Sequence, residues 1–391
     1  MEHVTEKRLL SELASLYRRK SAFLDAEVTT SPVASYVDAD RFAAERDRVF
    51  RRQPLMAAHS SELPEPGAFL RRTIAGLPLL LTRDRDGVAH AFLNVCRHRG
   101  TRLVDAHKGC RHRFSCPYHA WTWDSSGRLV GLPHGEQGFP DLDRGAFGLK
   151  ELASREDLGW LWVQADGGPI PEPDTFLAGL GPDLAWFGRP ELRLLHQEER
   201  VCRANWKLLV EGGIEAYHFR VAHRKTIAPH FPDNLSSYEC FGPHMRSILP
   251  RTSIADLATA QSVATGDRQS SDRVWDMRRH ANIVYTLFPL NQLLIQPAHV
   301  AWVQMEPLSA DSTLIRLSTL APAGTGMSEA EAAIWQRNHD ITVTTLMEDF
   351  DIGESIQDGL TSGANDHLTF GRFEGALHVF NRTLDVALQT A

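Results

Sequence analysis

The chain has 391 residues, of which 42% are hydrophobic and 23% charged, and its formal net charge is −7 at pH 7. This composition suits a globular protein with a large core, and the negative charge excludes a general affinity for nucleic acid or anionic membranes. The sequence contains no run of about eighteen apolar residues, and its charged N-terminus lacks the apolar core of a secretory signal, so we expect a cytoplasmic protein without a membrane span.

The N-terminal region predicts two helices before the first strand. In residues 1–20, leucines recur at helical spacing, which predicts an apolar stripe that packs on the body of the protein: Leu9, Leu10, Leu13 and Leu16. A second, shorter helix is predicted for residues 39–51, immediately after Asp38.

From about Leu55 the sequence predicts a small antiparallel β domain. Short apolar runs, such as residues 77–82 and 89–95, are separated by proline, glycine and turn residues. The pattern continues through residues 158–163, and the stretch rich in glycine and proline at 167–173 indicates a boundary or linker.

The second half of the chain mixes strand-like and helical stretches. The longest predicted helix covers residues 328–348. Four apolar runs predict strands: 283–288, 292–295, 300–305 and 313–320. This mixture is typical of an α+β domain in which a sheet packs against helices.

Two short cysteine-histidine motifs lie in the predicted β domain. Cys96 and His98 form C-x-H, and Cys116 and His119 form C-x-x-H. A set of two cysteines and two histidines can hold one zinc ion, but zinc hairpins usually keep like ligands in the same pair. One thiolate and one imidazole from each loop suit a Rieske [2Fe-2S] cluster, in which cysteines hold one iron and histidines the other.

The segments CRHRGTRLV and CPYHAWTW resemble the cluster-binding pair of the Rieske oxygenases, and the flanking FLNV and WDSSGRLVG extend the resemblance. The resemblance implies that Cys96 and Cys116 hold the inner iron, while His98 and His119 hold the outer one. Ala120 departs from the family, which usually has glycine there. A methyl group is a small addition, so we expect this departure to have little effect.

A second constellation lies in residues 205–223, NWKLLVEGGIEAYHFRVAH. Read alone, its carboxylates and two histidines fit either a polar helix face or part of a non-haem iron site. The segment resembles the family motif that supplies two iron-binding histidines, which implies His218 and His223 as ligands. Their spacing of five places them about 140° apart on a regular helix, so the helix must end or distort between them.

The resemblance implies a third, carboxylate ligand from a distant helix. Residues 344–360 resemble the family segment in which a Glu-Asp pair provides that aspartate, and Asp349 is our choice, with Asp351 as the alternative. Two imidazoles and one carboxylate leave three positions on iron open for O2 and water.

Glu215 occupies the position at which many family members have aspartate. In the family this carboxylate connects a cluster histidine of one subunit to an iron-binding histidine of its neighbour, and a glutamate can make the same two hydrogen bonds. A second departure is Gly212-Gly213, where the family usually has asparagine after the first glutamate. The missing side chain either enlarges the cavity near iron or permits close backbone packing.

Pattern and resemblance together predict three regions. Residues 1–45 form N-terminal helices that pack on the catalytic domain, 46–165 form an all-β Rieske domain, and 166–391 form the catalytic mononuclear-iron domain. The predicted class is α+β, with an antiparallel sheet covered by helices in a helix-grip arrangement.

The resemblance implies a terminal oxygenase that uses O2 and electrons from NAD(P)H, delivered by a separate reductase or ferredoxin. Because the family's cluster-to-iron distance within one chain is too long for fast transfer, it also implies a head-to-tail ring, most often a homotrimer. The product is a hydroxylated or demethylated small organic molecule, and the length and Glu215 favour a monooxygenase. An aromatic-ring cis-dihydroxylating dioxygenase is the alternative.

The substrate itself stays open between an aromatic ring and a methylated or quaternary amine. Five aromatic side chains are predicted for its pocket: Tyr217, Tyr285, Phe288, Trp302 and Phe350. Two hypotheses come from other classes. One is a non-catalytic Rieske electron carrier that lacks the second iron, and the other is a colourless zinc-stabilised binding protein.

Overall fold

The structure is a computed structural model that describes residues 1–187, 192–260, 275–324 and 328–390. The chain forms two compact units. The smaller comprises Phe50–Glu172, and the larger combines Met1–Val49 with Pro173–Ala391. No helix in the described part of the chain combines the length and the apolar character needed to cross a membrane.

The smaller unit is built from two antiparallel sheets. The seven strands of the first sheet lie in the order Leu55–His59, Trp160–Gln164, Glu151–Asp157, Ala89–Leu93, Leu77–Arg83, Ala68–Ile74 and Lys108–Cys110. The second sheet contains Arg113–Ser115, Thr122–Asp124 and Leu129–Gly131. One helical turn, Gly135–Gly138, and two 3-10 turns, Ser60–Glu62 and Arg144–Phe147, complete the unit.

The larger unit contains a second seven-stranded antiparallel sheet. Its order is Leu192–Cys202, Ser312–Pro322, Val300–Ser309, Asn291–Ile295, Ala281–Leu287, His244–Pro250 and Ser237–Phe241. Thr29–Pro32 pairs separately with His367–Phe370. The α+β class, with one unit dominated by antiparallel sheets and a second unit of antiparallel sheet and helices, is therefore confirmed.

The helices of the larger unit differ greatly in length. Among the described residues of this unit, three helices are long: His3–Arg18, Glu329–Leu360 and Gly375–Thr390. The others are Ala34–Val37, Ala39–Ala44, Pro173–Phe176, Gly181–Trp186, Trp206–Gly212, Phe219–Ala222, Ile254–Ala260 and Met277–His280, with a π-helical turn at Glu45–Phe50 and a 3-10 turn at Ala228–His230. In the first helix Leu9, Leu10 and Leu13 are buried, as their spacing predicts.

The long helix Glu329–Leu360 extends twelve residues beyond the predicted end at residue 348. Ser328 and Glu331 form a capping box at its start. Near its other end, a Cβ atom on Gly353 would lie 3.0 Å from Leu209 Cδ2, so the glycine permits close contact with the helix Trp206–Gly212. This packing brings the acidic middle of the long helix next to the histidine segment.

Candidate metal centres

The two cysteine-histidine loops of the smaller unit share one backbone geometry. In each loop the cysteine carbonyl accepts a hydrogen bond from the residue four positions later, Gly100 or Ala120, at 3.0 Å. In each, the cysteine N–H donates 2.8 Å to the carbonyl five positions later. The two turns therefore present Cys96 and Cys116 in equivalent surroundings.

Both cysteine side chains point into the core of the unit, where each is 3% exposed. Both cysteines belong to the same cluster of buried residues. Burial, together with the neighbouring Cys116 sulfur, raises the pKa of the Cys96 thiol. Two adjacent buried thiols fit a metal centre, because metal binding displaces their protons and compensates the thiolate charge.

The histidines of the two loops lie side by side, with ring centroids 4.9 Å apart. The His98 ring stacks flat on Trp121 at 4.7 Å. His98 Nδ1 is buried and has no hydrogen-bond partner among the described residues. A buried ring nitrogen of this kind fits a metal ligand, and the four side chains together fit a cluster held by two thiolates and two imidazoles.

The backbone conformation of Ala120 destabilises the loop, although the side chain is small. Its φ is +56°, in the left-handed region, and Gly100 holds the equivalent position in the other loop at +80°. We expect Ala120→Gly to stabilise the smaller unit by about 0.5–1 kcal/mol, because the left-handed conformation is unfavourable for a residue with a Cβ atom. The gain is smaller than the full penalty because glycine also has more conformational freedom in the unfolded chain.

Denaturant unfolding followed by the cluster's visible absorption measures this effect. The matched control is Gly100→Ala, which we expect to destabilise by a similar amount. A Cβ on Gly100 meets nothing within 4 Å among the described residues, so that variant reports the backbone conformation alone. Equal stability of Ala120→Gly and the parent protein would contradict the expectation.

In the larger unit, the segment 205–223 breaks into separate helical pieces. Asn205 caps the helix Trp206–Gly212 by accepting a hydrogen bond from Lys207 N at 3.0 Å. A new short helix, Phe219–Ala222, is flanked directly by His218 and His223. The interruption that the five-residue spacing requires is present, and the two imidazoles converge.

Three ligand-type atoms meet at this point. The Nε2 atoms of His218 and His223 lie 3.2 Å apart, and Asp349 Oδ1 lies 3.3 Å from the first and 2.9 Å from the second. Donors about 2.1 Å from a common first-row metal, at right angles to one another, are separated by roughly 3 Å. The three side chains therefore fit one face of a mononuclear metal site.

Carboxylates orient both histidines through their other ring nitrogens. His218 Nδ1 contacts Glu215 Oε1. The other carboxylate oxygen of Glu215, Oε2, accepts hydrogen bonds from the backbone N–H groups of Tyr217 and His218. His223 Nδ1 lies 2.7 Å from Glu348 Oε2. Hydrogen bonds of this kind fix the tautomer that leaves Nε2 free for a metal.

The electrostatics of the site favour a bound cation. Burial alone would lower the pKa of His218, but the hydrogen bonds that its ring donates to Asp349 and Glu215 raise it to about 10. Burial would raise the pKa of Asp349, yet its two histidine partners hold it below its ordinary value. The Asp349 carboxylate thus carries negative charge at neutral pH, which a bound metal ion would compensate in place of the histidine protons.

Asp351, the alternative third ligand, lies on a different face of the long helix. Its side chain is 66% exposed and forms an ion pair with Arg200 at 2.6 Å. Two residues correspond to about 200° around a helix, so Asp349 and Asp351 cannot both face the histidines. The geometry favours Asp349.

Two cavities reach the three-residue cluster. One, of ≈ 520 Å³, is lined by carboxylates that include Glu211, Glu215 and Glu374, together with apolar side chains of the long helix. Complete burial raises the pKa of Glu211 to about 7. The other cavity, of ≈ 70 Å³, lies between His223, Asp349 and one face of the sheet. We call it the sheet cavity.

The five aromatic residues predicted for the pocket line neither of these cavities. Side chains alternate between the two faces of a strand, and Asn282, Val284, Gln292, Leu294 and Val303 face the sheet cavity. Tyr285 and Trp302 are therefore on the opposite face, where Tyr285 donates a hydrogen bond to Asp183 and Trp302 to Asn291. Phe288 and Phe350 are buried, and Tyr217 is 52% exposed and packs on Phe373.

Other residues, which the sequence reasoning missed, form the walls. Phe219 and Phe231 supply aromatic rings to the sheet cavity, and Glu348 orients His223. A signal was present for two more: Asn282 and Gln292 are polar residues within largely apolar strands. Gly213 borders Gln292 so closely that an added Cβ would lie 2.5 Å from its Oε1, whereas a Cβ on Gly212 would make an ordinary contact of 3.8 Å with Asp349 Cβ.

Two family descriptions match the chain. A Rieske [2Fe-2S] domain matches residues 53–150, and the catalytic domain of the ring-hydroxylating alpha subunit matches residues 190–390. The glycine betaine monooxygenase oxygenase subunit of Chromohalobacter salexigens is 38% identical over 194 residues, which cover 49% of this chain and 42% of that protein. The chain spans about half the length of the curated relatives it matches.

Solved structures share the fold over nearly the whole chain. The quaternary ammonium Rieske monooxygenase CntA, in complex with L-carnitine, has a TM-score of 0.75 at 21% identity, covering 92% of this chain and 94% of its own. Naphthalene 1,2-dioxygenase from Rhodococcus sp., bound to indole, has a TM-score of 0.76 at 19% identity, covering 98% of both chains. At these identities the likeness shows the fold alone.

Proposed function

The chain belongs to the ring-hydroxylating oxygenase alpha-subunit family, and we propose that it is the terminal oxygenase of a Rieske system that acts as a monooxygenase on a compact substrate. The observation that carries the proposal is the convergence of His218, His223 and Asp349, with each histidine oriented by its own carboxylate. A metal site with open coordination positions is what oxygen chemistry requires.

Each group of residues has a defined part in this proposal. Cys96, His98, Cys116 and His119 hold the [2Fe-2S] cluster, which stores one electron at a time. His218, His223 and Asp349 would hold Fe(II), which would supply O2 activation. Glu215 and Glu348 keep the imidazoles in place, and the apolar wall of the sheet cavity excludes water from the reacting carbon.

The size of the sheet cavity favours a compact substrate. Its volume of ≈ 70 Å³ is about half that of the engineered cavity of roughly 150 Å³ that accommodates benzene. An aliphatic group such as an N-methyl therefore fits better than an aromatic ring. The relative named for glycine betaine, which is 38% identical over 194 residues, supports this choice.

The electron path we propose crosses between copies of the chain. Glu215 and His218 line the larger cavity, and His119 is exposed at the tip of its loop. Glu215 would lie on the route of an electron that reaches His218 from a neighbouring copy, which suits a head-to-tail homotrimer supplied by a separate reductase or ferredoxin.

We expect Glu215→Ala to lower activity more than Glu348→Ala, although each removes one carboxylate from one histidine. Loss of either partner weakens iron binding or activity roughly 10–100-fold. Only Glu215→Ala also interrupts the electron path. After excess Fe(II) restores full occupancy, stopped-flow measurement of cluster reoxidation separates the effects: it should recover in Glu348→Ala and stay slow in Glu215→Ala. Equal recovery in both variants would contradict the role of Glu215.

The function itself is tested with purified protein, a generic reductase and NADH. The substrates are paired panels of methylated amines and aromatic acids, with products identified by mass. We expect a mass change corresponding to hydroxylation or loss of a methyl group, from protein containing about three irons per chain. About two irons and no product would support an electron carrier, and a gain of two hydroxyl groups on a ring would support a dioxygenase.

A further inference from the structure

The sheet cavity is mostly apolar, but two side-chain amides face it. Asn282 and Gln292 come from adjacent strands and point to the same side as Val284 and Leu294. Polar groups in an apolar ligand cavity usually fix the orientation of a ligand. The hydrogen-bond partners of the two amides therefore indicate what kind of group the cavity accepts.

Gln292 has both its donor positions in use. Its Nε2 donates to Val210 O at 2.9 Å and to Thr286 Oγ1 at 3.3 Å. These bonds fix the side chain across the sheet and against the end of the helix Trp206–Gly212. Gln292 is therefore a structural wall of the cavity with no donor left for a ligand.

Asn282 differs from Gln292 because its hydrogen bonds use the amide oxygen instead of the amide nitrogen. Its Oδ1 accepts hydrogen bonds from Arg251 Nε at 3.0 Å and Arg251 Nη2 at 2.8 Å. Since a guanidinium only donates, this pair assigns the oxygen to Arg251 and leaves Nδ2 as the free donor. Nδ2 has no hydrogen-bond partner among the described residues, and the side chain lines the cavity.

Arg251 adds positive charge behind this donor. The residue is partly buried, and no described carboxylate forms an ion pair with it. Burial lowers the pKa of its guanidinium, because removal of a cation from water destabilises the charged form when no described carboxylate pairs with it. A charge held in this way is compensated when an anion binds nearby.

We propose that Asn282 and Arg251 recognise a carboxylate on the substrate, and that this chain acts on compact aliphatic carboxylic acids. Asn282 Nδ2 donates to the carboxylate, and the Arg251 guanidinium attracts it from behind the amide. The remainder of the substrate then extends between Phe219 and Phe231 towards His223 and Asp349. This inference rests on the proposed oxygenase function and defines its substrate class.

The test compares acids with alcohols of the same shape. Three pairs serve as probes: glycine betaine and choline, N,N-dimethylglycine and N,N-dimethylethanolamine, and 3,3-dimethylbutyrate and 3,3-dimethylbutanol. Binding to the iron-loaded protein without O2 is measured by calorimetry. We expect at least one acid to bind about ten- to a hundredfold more tightly than its alcohol, because one partner of the hydrogen bond is charged.

Two variants and one control locate the effect. Arg251→Gln should remove most of the preference for the acid. Asn282→Asp keeps the contact with Arg251 but places a negative charge at the cavity, so it should abolish the preference while the protein stays folded. The control is Arg278→Gln, because Arg278 is also partly buried with a pKa lowered by burial but stacks on Trp186. It should bind every probe as the parent protein does.

The outcomes separate this inference from the proposed function. If no acid binds better than its alcohol, or if Asn282→Asp keeps the preference, carboxylate recognition is overturned, even when about three irons per chain and NADH-dependent oxygenation show that the oxygenase is intact. If the parent protein carries no mononuclear iron, the proposed function fails, whatever the probes show.

Discussion

Replacing Asp349 with alanine is expected to lower the iron content from about three atoms per chain to about two and to abolish oxygenation. Asp349 Oδ1 is the one carboxylate oxygen that lies within 3.3 Å of both histidine Nε2 atoms among the described residues. Two neutral imidazoles alone bind Fe(II) weakly, because the anionic ligand supplies much of the attraction for the cation. The [2Fe-2S] absorption should not change.

The matched control for this variant is Asp351→Ala. Asp351 lies two positions further along the same helix, where it is exposed and paired with Arg200. Its removal should leave about three irons and full activity, since exposed ion pairs contribute little to stability. Metal analysis of both proteins decides between the two aspartates. Full iron occupancy in Asp349→Ala, or loss of one iron in Asp351→Ala, would reverse the assignment.

Replacing Cys116 with serine is expected to have the second large effect, the loss of the [2Fe-2S] cluster. A serine oxygen is a poor substitute for a thiolate that must hold iron in a buried position. The variant should lose its red-brown colour and about two irons per chain while it keeps the mononuclear iron. It should then show no NADH-dependent turnover, because the cluster is the entry point for electrons.

Cys110→Ser is the control for this experiment. Cys110 lies in sequence between the two loops, but its side chain is exposed and its sulfur makes only a long contact, 3.8 Å, to Pro66 O among the described residues. It should keep its colour and activity. If the parent protein is colourless and contains zinc, and Cys116→Ser releases that zinc, the four side chains form a zinc site and the cluster assignment is wrong.

Several features of the metal centres follow from short stretches of sequence. C-x-H and C-x-x-H each span a single turn, and one turn is enough to place a thiol and an imidazole on the same loop tip. The five-residue spacing of His218 and His223 likewise required a break in the helix, and the chain breaks there. Local geometry determines these features, so the sequence alone could predict them.

The sequence alone could not predict the effect of Ala120 on stability. Its size indicated a small effect, but the relevant quantity is its φ of +56°, which depends on how the loop closes. Similarly, the apolar strands predicted a sheet but did not show which face meets the cavity. Side chains alternate along a strand, so Tyr285 and Trp302 lie on the face opposite Asn282, and the packing of the sheet decides which face lines the cavity.

What the sequence by itself determined is therefore the types of ligand and their local spacing: two cysteine-histidine turns, a histidine pair and an acidic helix. The tertiary structure alone decided which acid joins the histidines and which side chains surround them. The reason is that Asp349, Glu348 and Arg251 are separated from their partners by long stretches of chain. Such contacts depend on helix packing, strand register and a close approach at Gly353, none of which a short window of sequence encodes.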